Sequence, residues 1–277
     1  MTRTVLITGC STGIGHAAAK IFQAKGWNVV ATLRRPEDAS DLAALDRVLA
    51  TRLDVTDPAS IGSAIAAGIE RFGDIDVVVN NAGYGLYGVF EGVAEANIRA
   101  QYETNVFGVM NVIRAILPRF RAKGSGTIIN ISSGGGIFAL PTMSLYCSSK
   151  FALEGFSEGL YHELRSIGIK VKLIEPGGIM DTPFDAAATG KMAGTMPPAA
   201  YQPFIDGAVK IIDGMRVAAT STAADVAEVI FAAATDGSDR LRYVATEDVK
   251  SLIRLRQEAS EEEYMAFICE HLAPQLR

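Results

Sequence analysis

Short runs of apolar, often β-branched residues recur along the chain, with longer amphipathic stretches between them. Most runs are apolar at successive rather than alternate positions, which is typical of strands that are covered on both faces in a parallel sheet. We therefore predict seven strands, at residues 4–8, 28–33, 48–53, 76–80, 127–132, 170–175 and 241–245.

The stretches between these strands have the period of helices and carry end signals. We predict helices at residues 14–25, 58–72, 95–123, 144–166 and 223–234. Asp57 precedes Pro58 as a cap residue, while Gly26 and Gly124 follow the first and third helices as stop signals. Alternating strands and helices predict one Rossmann-like α/β domain over residues 1–277, a doubly wound parallel sheet with helices on both faces.

Two segments depart from this rhythm. Residues 184–203 are rich in small residues, glycine and proline and have no clear period, so we predict a substrate lid at about residues 184–220, with a surface loop of no function as the alternative. The last segment, residues 247–277, is predicted to be a helical extension of one or two helices. Its acidic run at 261–263 is most simply a solvated helix face.

Composition narrows the function classes. The net charge of −5 and the pI near 5.3 provide no broad basic surface for nucleic acid. Cys10, Cys147 and Cys269 are widely spaced without a CxxC pair, which predicts no metal site and fits a reducing compartment. No stretch approaches the ~18 to 20 apolar residues that span a bilayer. We therefore predict a cytoplasmic protein without a membrane span.

The first predicted strand runs into TGCSTGIG, residues 8–15, where the first helix begins. Glycines in such a turn allow a tight bend, close approach of the backbone to a pyrophosphate, and packing of the helix on the strand. The first helical amides would then face the phosphates. The predicted contacts in this loop are Gly9, Ser11, Thr12, Gly13, Ile14 and Gly15, and a purely structural turn is the alternative.

The end of the second strand selects the cofactor. An acidic residue there would accept hydrogen bonds from a ribose 2′-hydroxyl and repel a 2′-phosphate, but the sequence has Arg34 and Arg35 instead. Arg34 can pair with the phosphate dianion, which predicts NADP(H) rather than NAD(H). Solvated loop charges are the alternative, since Ser11 and Thr12 leave the glycine loop without a basic residue.

Tyr146 and Lys150 are four residues apart in a predicted helix, so they share one face. A phenol with a pKa of about 10 becomes an acid/base near neutrality when an ammonium lies beside it. Ser133 precedes Tyr146 by 13 residues, and the family resemblance described next implies that its hydroxyl hydrogen-bonds the substrate oxygen. Ser132 is the competing candidate, because only one of two successive strand residues can point into the cleft.

The glycine loop resembles that of the short-chain dehydrogenase/reductase family. Within this family, the chain resembles the members that are similar to 17β-hydroxysteroid and retinol dehydrogenases. Four further motifs strengthen the resemblance over residues 4–182, namely LDVTD (53–57), NNAG (80–83), YxxxK (146–150) and EPGG (175–178). It implies that Asn105 holds a water connecting Lys150 to solvent. It also implies cofactor contacts from Tyr146 and Lys150 and from Asp54, Val55, Asn81, Ala82, Gly83, Pro176, Gly177, Ile179 and Thr182.

The family resemblance implies an NADP(H)-dependent oxidoreductase that interconverts a carbonyl and an alcohol, in a homodimer or homotetramer built on the helices at 95–123 and 144–166. Its small-molecule substrate would contact Ser133, Tyr146 and Phe184. An apolar pocket is predicted from Phe138, Leu140, Met143, Leu145, Phe184 and Met192, which favours a lipophilic, steroid- or retinoid-like substrate. The alternatives are a nucleotide-sugar epimerase or dehydratase, and a non-catalytic NADP(H)-sensing protein.

Overall fold

Seven parallel strands form one sheet in this computed structural model, which describes residues 2–182, 184 and 196–274. The strands are β1 (Thr4–Thr8), β2 (Asn28–Leu33), β3 (Val48–Arg52), β4 (Val77–Asn80), β5 (Gly126–Ile131), β6 (Ile169–Glu175) and β7 (Arg242–Val244). Their order is β3-β2-β1-β4-β5-β6-β7. The predicted Rossmann-like fold is confirmed, and each predicted strand end lies within one residue of the observed end.

Helices pack on both faces of the sheet. They are α1 (Gly13–Ala24), α2 (Ser40–Ala43), α3 (Pro58–Phe72), α4 (Glu95–Tyr102), α5 (Gly108–Lys123), α6 (Ser144–Arg165), α7 (Gln202–Ala218), α8 (Ala223–Thr235), α9 (Lys250–Glu258) and α10 (Glu261–His271). The continuous helix predicted at residues 95–123 is wrong in one respect. A π-helical turn, Glu103–Phe107, joins α4 to α5, and such turns are frequent at functional sites.

Helix α7 was not predicted, because the glycine- and proline-rich stretch before it obscured the start of its helical period. Pro203 lies in its first turn, where a missing N–H breaks no helical hydrogen bond, and Ala208 is buried. The helix falls within the predicted lid at 184–220. Residues 185–195 of that segment, including Met192, lie outside the described residues.

The apolar positions of each strand divide between two cores, one on each face of the sheet. Val5 and Ile7 of β1 pack into the first core with α1 and α8, whereas Leu6 packs into the second with α3, α5 and α6. Successive side chains of a strand point to opposite faces. Both faces are covered, which explains why the strands are apolar at every position.

The chain order of the strands reverses at β1, which lies between β2 and β4. The chain therefore leaves β1 and β4 in opposite directions, and a cleft opens between the two loops at the carboxyl ends of these strands. The loops that follow β5 and β6 end at the same edge of the sheet, since all the strands are parallel. This edge carries the candidate site.

The outer surfaces of the helices bear on whether a helix could cross a membrane and on how copies of the chain could assemble. Within residues 2–182 and 196–274, no helix combines the length and apolar character needed to cross a bilayer. Phe107, in the π-helical turn, and Phe151, on α6, are 48% and 43% exposed. They lie on the helices that the sequence predicts to pair, and the homodimer or homotetramer stays a prediction.

We expect Phe22→Ala to lower the free energy of unfolding by about 3–5 kcal/mol, because it leaves a cavity in the first core. The Phe22 ring is fully buried and meets the rings of Trp27 and Phe231 edge-on, at centroid distances of 5.2 and 5.0 Å. Urea denaturation measures the change. Phe90→Ala is the control, since Phe90 is 64% exposed, and should cost less than about 0.5 kcal/mol. Similar losses in both variants would contradict the assignment.

Candidate active site

The glycine loop bends sharply from β1 into α1. Gly9 and Gly13 have φ angles of +75° and +59°, in the left-handed region that favours glycine. A Cβ at Gly9 would lie 2.9 Å from Cα of Ala82, and one at Gly15 would lie 2.4 Å from both Asn81 Nδ2 and Gly9 O. The loop therefore forms a cradle that side chains at positions 9 and 15 would block.

Hydrogen bonds fix the glycine loop to the loop after β4. Asn81 Nδ2 donates to the carbonyl oxygens of Thr8 and Gly9 at 2.9 and 3.1 Å, and the amides of Asn81 and Ala82 each donate to Thr8 Oγ1 at 3.0 Å. The two loops on either side of the cleft are thus held as one unit. Gly15 serves this packing and does not itself line the cleft.

The two arginines after β2 differ in their surroundings. Arg35 pairs with Asp38, Nη2 to Oδ2, at 2.9 Å. Arg34 is exposed and lines the cleft, and it has no ion-pair partner in the described chain. Asp54, across the mouth, accepts hydrogen bonds at one oxygen from the amide and hydroxyl of Thr56, at 2.9 and 2.8 Å. The cleft thus has an unpaired cation at one edge and a fixed carboxylate at the other.

Tyr146 and Lys150 lie one turn apart on α6 and are both buried. Lys150 Nζ is 5.9 Å from the centroid of the Tyr146 ring and donates to the carbonyl oxygen of Ile131 at 2.8 Å. Burial lowers the pKa of Lys150 to about 8, and the carboxylate of Glu154 opposes this shift. The ammonium therefore predominates at neutral pH, although its pKa lies close to the working range.

Ser133 and Ser132 point to opposite sides of the end of β5. Ser133 Oγ accepts from the amide of Gly135 at 3.1 Å. A Cβ at Gly135 would lie within 3.5 Å of both Ser133 Oγ and the Tyr146 ring, so these two groups flank one point. Ser132 Oγ instead lies beside Glu154, as a Cβ at Gly136 would be 2.7 Å from the former and 3.0 Å from Cγ of the latter.

Asn105 lies in the π-helical turn, and its side chain joins three elements. Its Oδ1 accepts from the amide of Tyr84 at 3.0 Å, and its Nδ2 donates to Tyr84 O at 2.9 Å and Ser149 Oγ at 3.1 Å. Ser149 Oγ in turn donates to the carbonyl oxygen of Tyr146 at 2.7 Å. Asn105 is buried behind the cleft and does not line it. Both hydrogens of its side-chain amide and one lone pair of its oxygen are used in positioning.

The EPGG loop after β6 is held by the segment after β7. The amide of Gly177 donates to Thr246 Oγ1, and that of Gly178 donates to Asp248 Oδ2, each at 2.8 Å. A Cβ at Gly177 would lie 2.4 Å from the Asp248 carboxylate. These contacts bring residues of the C-terminal third of the chain to the cleft.

A single cavity of about 830 Å³ connects these groups. Most of the residues predicted for cofactor and substrate line it, namely Gly9, Ser11, Thr12, Gly13, Ile14, Arg34, Asp54, Val55, Asn81, Ala82, Gly83, Ser133, Tyr146, Lys150, Pro176, Gly177, Ile179, Thr182 and Phe184. The structure thus brings the predicted residues together, apart from Gly15 and Asn105, which support the wall from behind.

The end of the cavity beyond Tyr146 is largely apolar. The Tyr146 ring meets the rings of Tyr87 and Phe184 edge-on, at centroid distances of 6.1 and 5.7 Å. The predicted Phe138, Leu140 and Met143 line this end, together with the unpredicted Tyr87, Ile212, Met215 and Val249. Leu145, predicted for the pocket, instead packs with Leu86 and Val93. The apolar face of α7, with Ile212 and Met215 spaced three residues apart, was the sequence signal that could have found the missing wall.

The fold and the site have the layout expected of a dinucleotide-dependent oxidoreductase, with the glycine-loop cradle at one end and a serine, tyrosine and lysine at the other. Comparison with known proteins agrees: residues 3–192 match the family model described as short chain dehydrogenase. The chain belongs to the short-chain dehydrogenase family and is an oxidoreductase of that family.

Curated relatives carry oxidoreductase names. The chain is 38% identical over 236 residues to an uncharacterized oxidoreductase of Schizosaccharomyces pombe, covering 84% of this chain and 97% of that protein. It is also 40% identical over 173 residues to a 3-ketodihydrosphingosine reductase of Bacteroides thetaiotaomicron, covering 62% of each chain.

Solved structures share the fold over most of their length. A short-chain dehydrogenase from Streptomyces avermitilis has a TM-score of 0.82 and 33% identity, covering 98% of this chain and 96% of that one. A Burkholderia phymatum enzyme in complex with NAD has a TM-score of 0.81 and 25% identity, with 93% coverage of each. ElxO with NADP bound has a TM-score of 0.73 and 26% identity, covering 90% and 98%.

We expect Gly9→Ala to weaken binding of dinucleotides at least tenfold. The new Cβ would push the glycine loop away from Ala82, and the positive φ at this position suits glycine but strains alanine. Isothermal titration with NADPH measures the affinity. Gly62→Ala is the matched control: Gly62 lies inside α3 with no atom within 4 Å of the new Cβ. It should bind normally and gain up to about 1 kcal/mol in stability. Equal affinity in both variants would show that the loop tolerates the side chain.

Proposed function

We propose that this protein is an NADP(H)-dependent oxidoreductase that interconverts a lipophilic carbonyl compound and the corresponding alcohol. The observation that carries the proposal is the convergence of Ser133, Tyr146 and Lys150 on one cavity that also contains the glycine-loop cradle. A nicotinamide dinucleotide has both phosphates and a reacting ring, so one molecule can contact the cradle and the three catalytic side chains. When bound, its reduced nicotinamide supplies the hydride for the carbonyl carbon.

Tyr146 is the proton donor in the reducing direction. Its hydroxyl gives a proton to the carbonyl oxygen as that oxygen gains negative charge, and takes the proton back when the alcohol is oxidised. The ammonium of Lys150, 5.9 Å from the ring centroid, stabilises the phenolate that this transfer leaves. Ser133, on the same side of the β5 end, donates a hydrogen bond that orients the substrate oxygen.

The residues behind the cavity position this machinery. Asn105 fixes the loop at Tyr84 and, through Ser149, the first turns of α6. Both hydrogens of its side-chain amide are donated, so a water linking Lys150 to solvent would have to donate to the remaining lone pair of Asn105 Oδ1 or bind the backbone of the π-helical turn. We propose that this turn is the start of the proton path.

Arg34 supports NADP(H) as the cofactor. Solved relatives bind either NAD or NADP, so the preference depends on residues of this chain. Arg34 lines the cavity with its charge unpaired in the described chain, and its guanidinium can pair with a 2′-phosphate. Arg35 is engaged by Asp38. No acidic side chain occupies the end of β2, where one would bind the 2′-hydroxyl of NAD.

The apolar end of the cavity supports a lipophilic substrate. Tyr87, Phe138 and Leu140 come from the central part of the chain, while Met215 and Val249 come from α7 and the segment before α9. An apolar group would displace water from these walls at a gain of about 25 cal/mol per Å². One curated relative is named for reduction of a long-chain ketone, 3-ketodihydrosphingosine, which agrees with this substrate class.

We expect Tyr146→Phe to lower kcat for carbonyl reduction about 10³-fold while NADPH still binds, because the ring stays and only the proton donor is lost. Stopped-flow or steady-state loss of NADPH absorbance, with a panel of aliphatic and cyclic ketones, measures turnover. Tyr102→Phe is the control: its hydroxyl contacts Ser148 outside the cavity, and it should retain activity. Binding of NADPH without Tyr146-dependent turnover would favour a sensing protein instead.

We expect Arg34→Gln to weaken NADPH binding about 10- to 100-fold, the loss of one charge-assisted contact of 1.5–3 kcal/mol. NADH affinity should hardly change, since NADH has no 2′-phosphate. Fluorescence titration of both nucleotides gives the two dissociation constants, with Arg35→Gln as the control for general loss of positive charge. Equal weakening for NADPH and NADH, or the same effect from Arg35→Gln, would contradict selection by Arg34.

A further inference from the structure

A buried cluster of polar and charged groups lies next to the catalytic lysine and has no part in the proton transfer described above. Glu154 follows Lys150 by one turn of α6, Glu175 ends β6, and Arg242 begins β7. Ser132 follows β5 and faces Glu154. The two glutamates and the serine are each less than 5% exposed.

One guanidinium serves three carboxylates in this cluster. Arg242 Nε lies 3.0 Å from Glu154 Oε2 and 3.5 Å from Glu175 Oε1, while its Nη2 lies 2.5 Å from Glu158 Oε2 at the surface. Arg240 also acts on Glu175 at longer range. The two buried carboxylates therefore compete for a single close positive charge.

Three atoms of the cluster form no hydrogen bond of good geometry within the described chain, namely Ser132 Oγ, Glu154 Oε1 and Glu175 Oε1. Buried polar atoms without such a bond are uncommon in folded proteins. Ser132 still favours the ionised form of Glu154, and Arg242 Nε lies 3.5 Å from Glu175 Oε1. The cluster therefore holds two buried carboxylates around one guanidinium, one helical turn from Lys150.

The cluster reaches the backbone of Lys150 at Gly136. A Cβ at this glycine would meet Ser132 Oγ at 2.7 Å, Glu154 Cγ at 3.0 Å and the backbone oxygen of Lys150 at 3.3 Å. Glu154 follows Lys150 by four residues, so these two buried side chains share one face of α6. The other groups near the Lys150 ammonium are uncharged: the phenol ring of Tyr146, the Ile131 carbonyl and the Asn105 amide. Glu154 is the carboxylate that acts on this ammonium.

We propose that Glu154 is a positioning residue whose buried carboxylate keeps Lys150 in its ammonium form, and that Glu175 limits this effect by competing for Arg242. The inference rests on the proposed function, in which Lys150 acts as the ammonium. Glu154 touches neither substrate nor cofactor. It acts through the lysine one turn before it.

The charges of the cluster are consistent with this arrangement. Burial raises the pKa of Glu154, which Ser132 and Arg242 oppose, and burial together with repulsion from Glu154 raises the pKa of Glu175 to about 7. Glu154 in turn opposes the fall in the pKa of Lys150 that burial causes. Glu154 therefore weakens the ionised form of Glu175, and it is also the carboxylate that acts directly on the lysine.

Removing either carboxylate should affect the titration of Lys150 differently. Glu154→Gln removes the attraction, so Lys150 should lose its proton at a pH about one unit lower. Glu175→Gln removes a competitor, so Glu154 should ionise more fully and Lys150 should titrate at the same or a higher pH. Glu158→Gln, which removes the exposed partner of the same arginine, should leave the midpoint unchanged.

Two readouts test this prediction. The first is the NMR titration of ¹³Cε-labelled lysine, with the Lys150 signal assigned by its loss in Lys150→Arg. The second is the alkaline limb of the pH profile of kcat/KM for alcohol oxidation, which should fall at lower pH in Glu154→Gln. Thermal denaturation and NADPH titration check that each variant is folded.

The outcomes separate this inference from the proposed function. A lower Lys150 midpoint in Glu154→Gln with no downward shift in Glu175→Gln supports the inference, even if no carbonyl compound is turned over. An unchanged midpoint in Glu154→Gln overturns it, as do equal downward shifts in Glu154→Gln and Glu158→Gln. If Glu154→Gln does not fold, a downward shift of the Lys150 midpoint in Glu175→Gln is by itself enough to overturn the inference. Absence of turnover in the wild-type protein would count against the proposed function only.

Discussion

The active site depends on the close approach of two loops at the point where the sheet reverses its order. The loop after β1 and the loop after β4 touch at Gly9 and Ala82, a contact that leaves no room for a Cβ on the glycine. Thr8 and Asn81 hold the two loops together with four hydrogen bonds. The floor of the cleft, the direction of α1 and the height of the cofactor cradle all follow from this contact.

The catalytic end of the cleft depends on burial. Lys150 lies in the interior, held by the carbonyl of Ile131 at the end of β5. A charge in such a place is strongly felt by its neighbours, because little water screens it. Burial also weakens the hold of the lysine on its own proton, and a nearby carboxylate opposes this effect. Glu154 is in that position, one helical turn away.

Long-range contacts complete the walls. The amides of Gly177 and Gly178 are held by Thr246 and Asp248, about seventy residues later in the chain. Phe138, which lines the substrate end, packs with the C-terminal helices through Val249, Leu252 and Tyr264. The C-terminal segment therefore shapes the cavity and stabilises the loop after β6, so it belongs to the site as well as to the fold.

The sequence by itself determined the sheet, most of its helices and most of the residues that line the cavity. Unbroken apolar runs predict buried parallel strands, and short-range spacing, such as Tyr146 to Lys150, follows directly from the helical repeat. The tertiary structure decided the rest. The π-helical turn at Asn105, the apolar wall from α7, the turning away of Leu145 and the shared arginine at Glu154 and Glu175 all depend on contacts between residues far apart in the chain, which local periodicity does not encode.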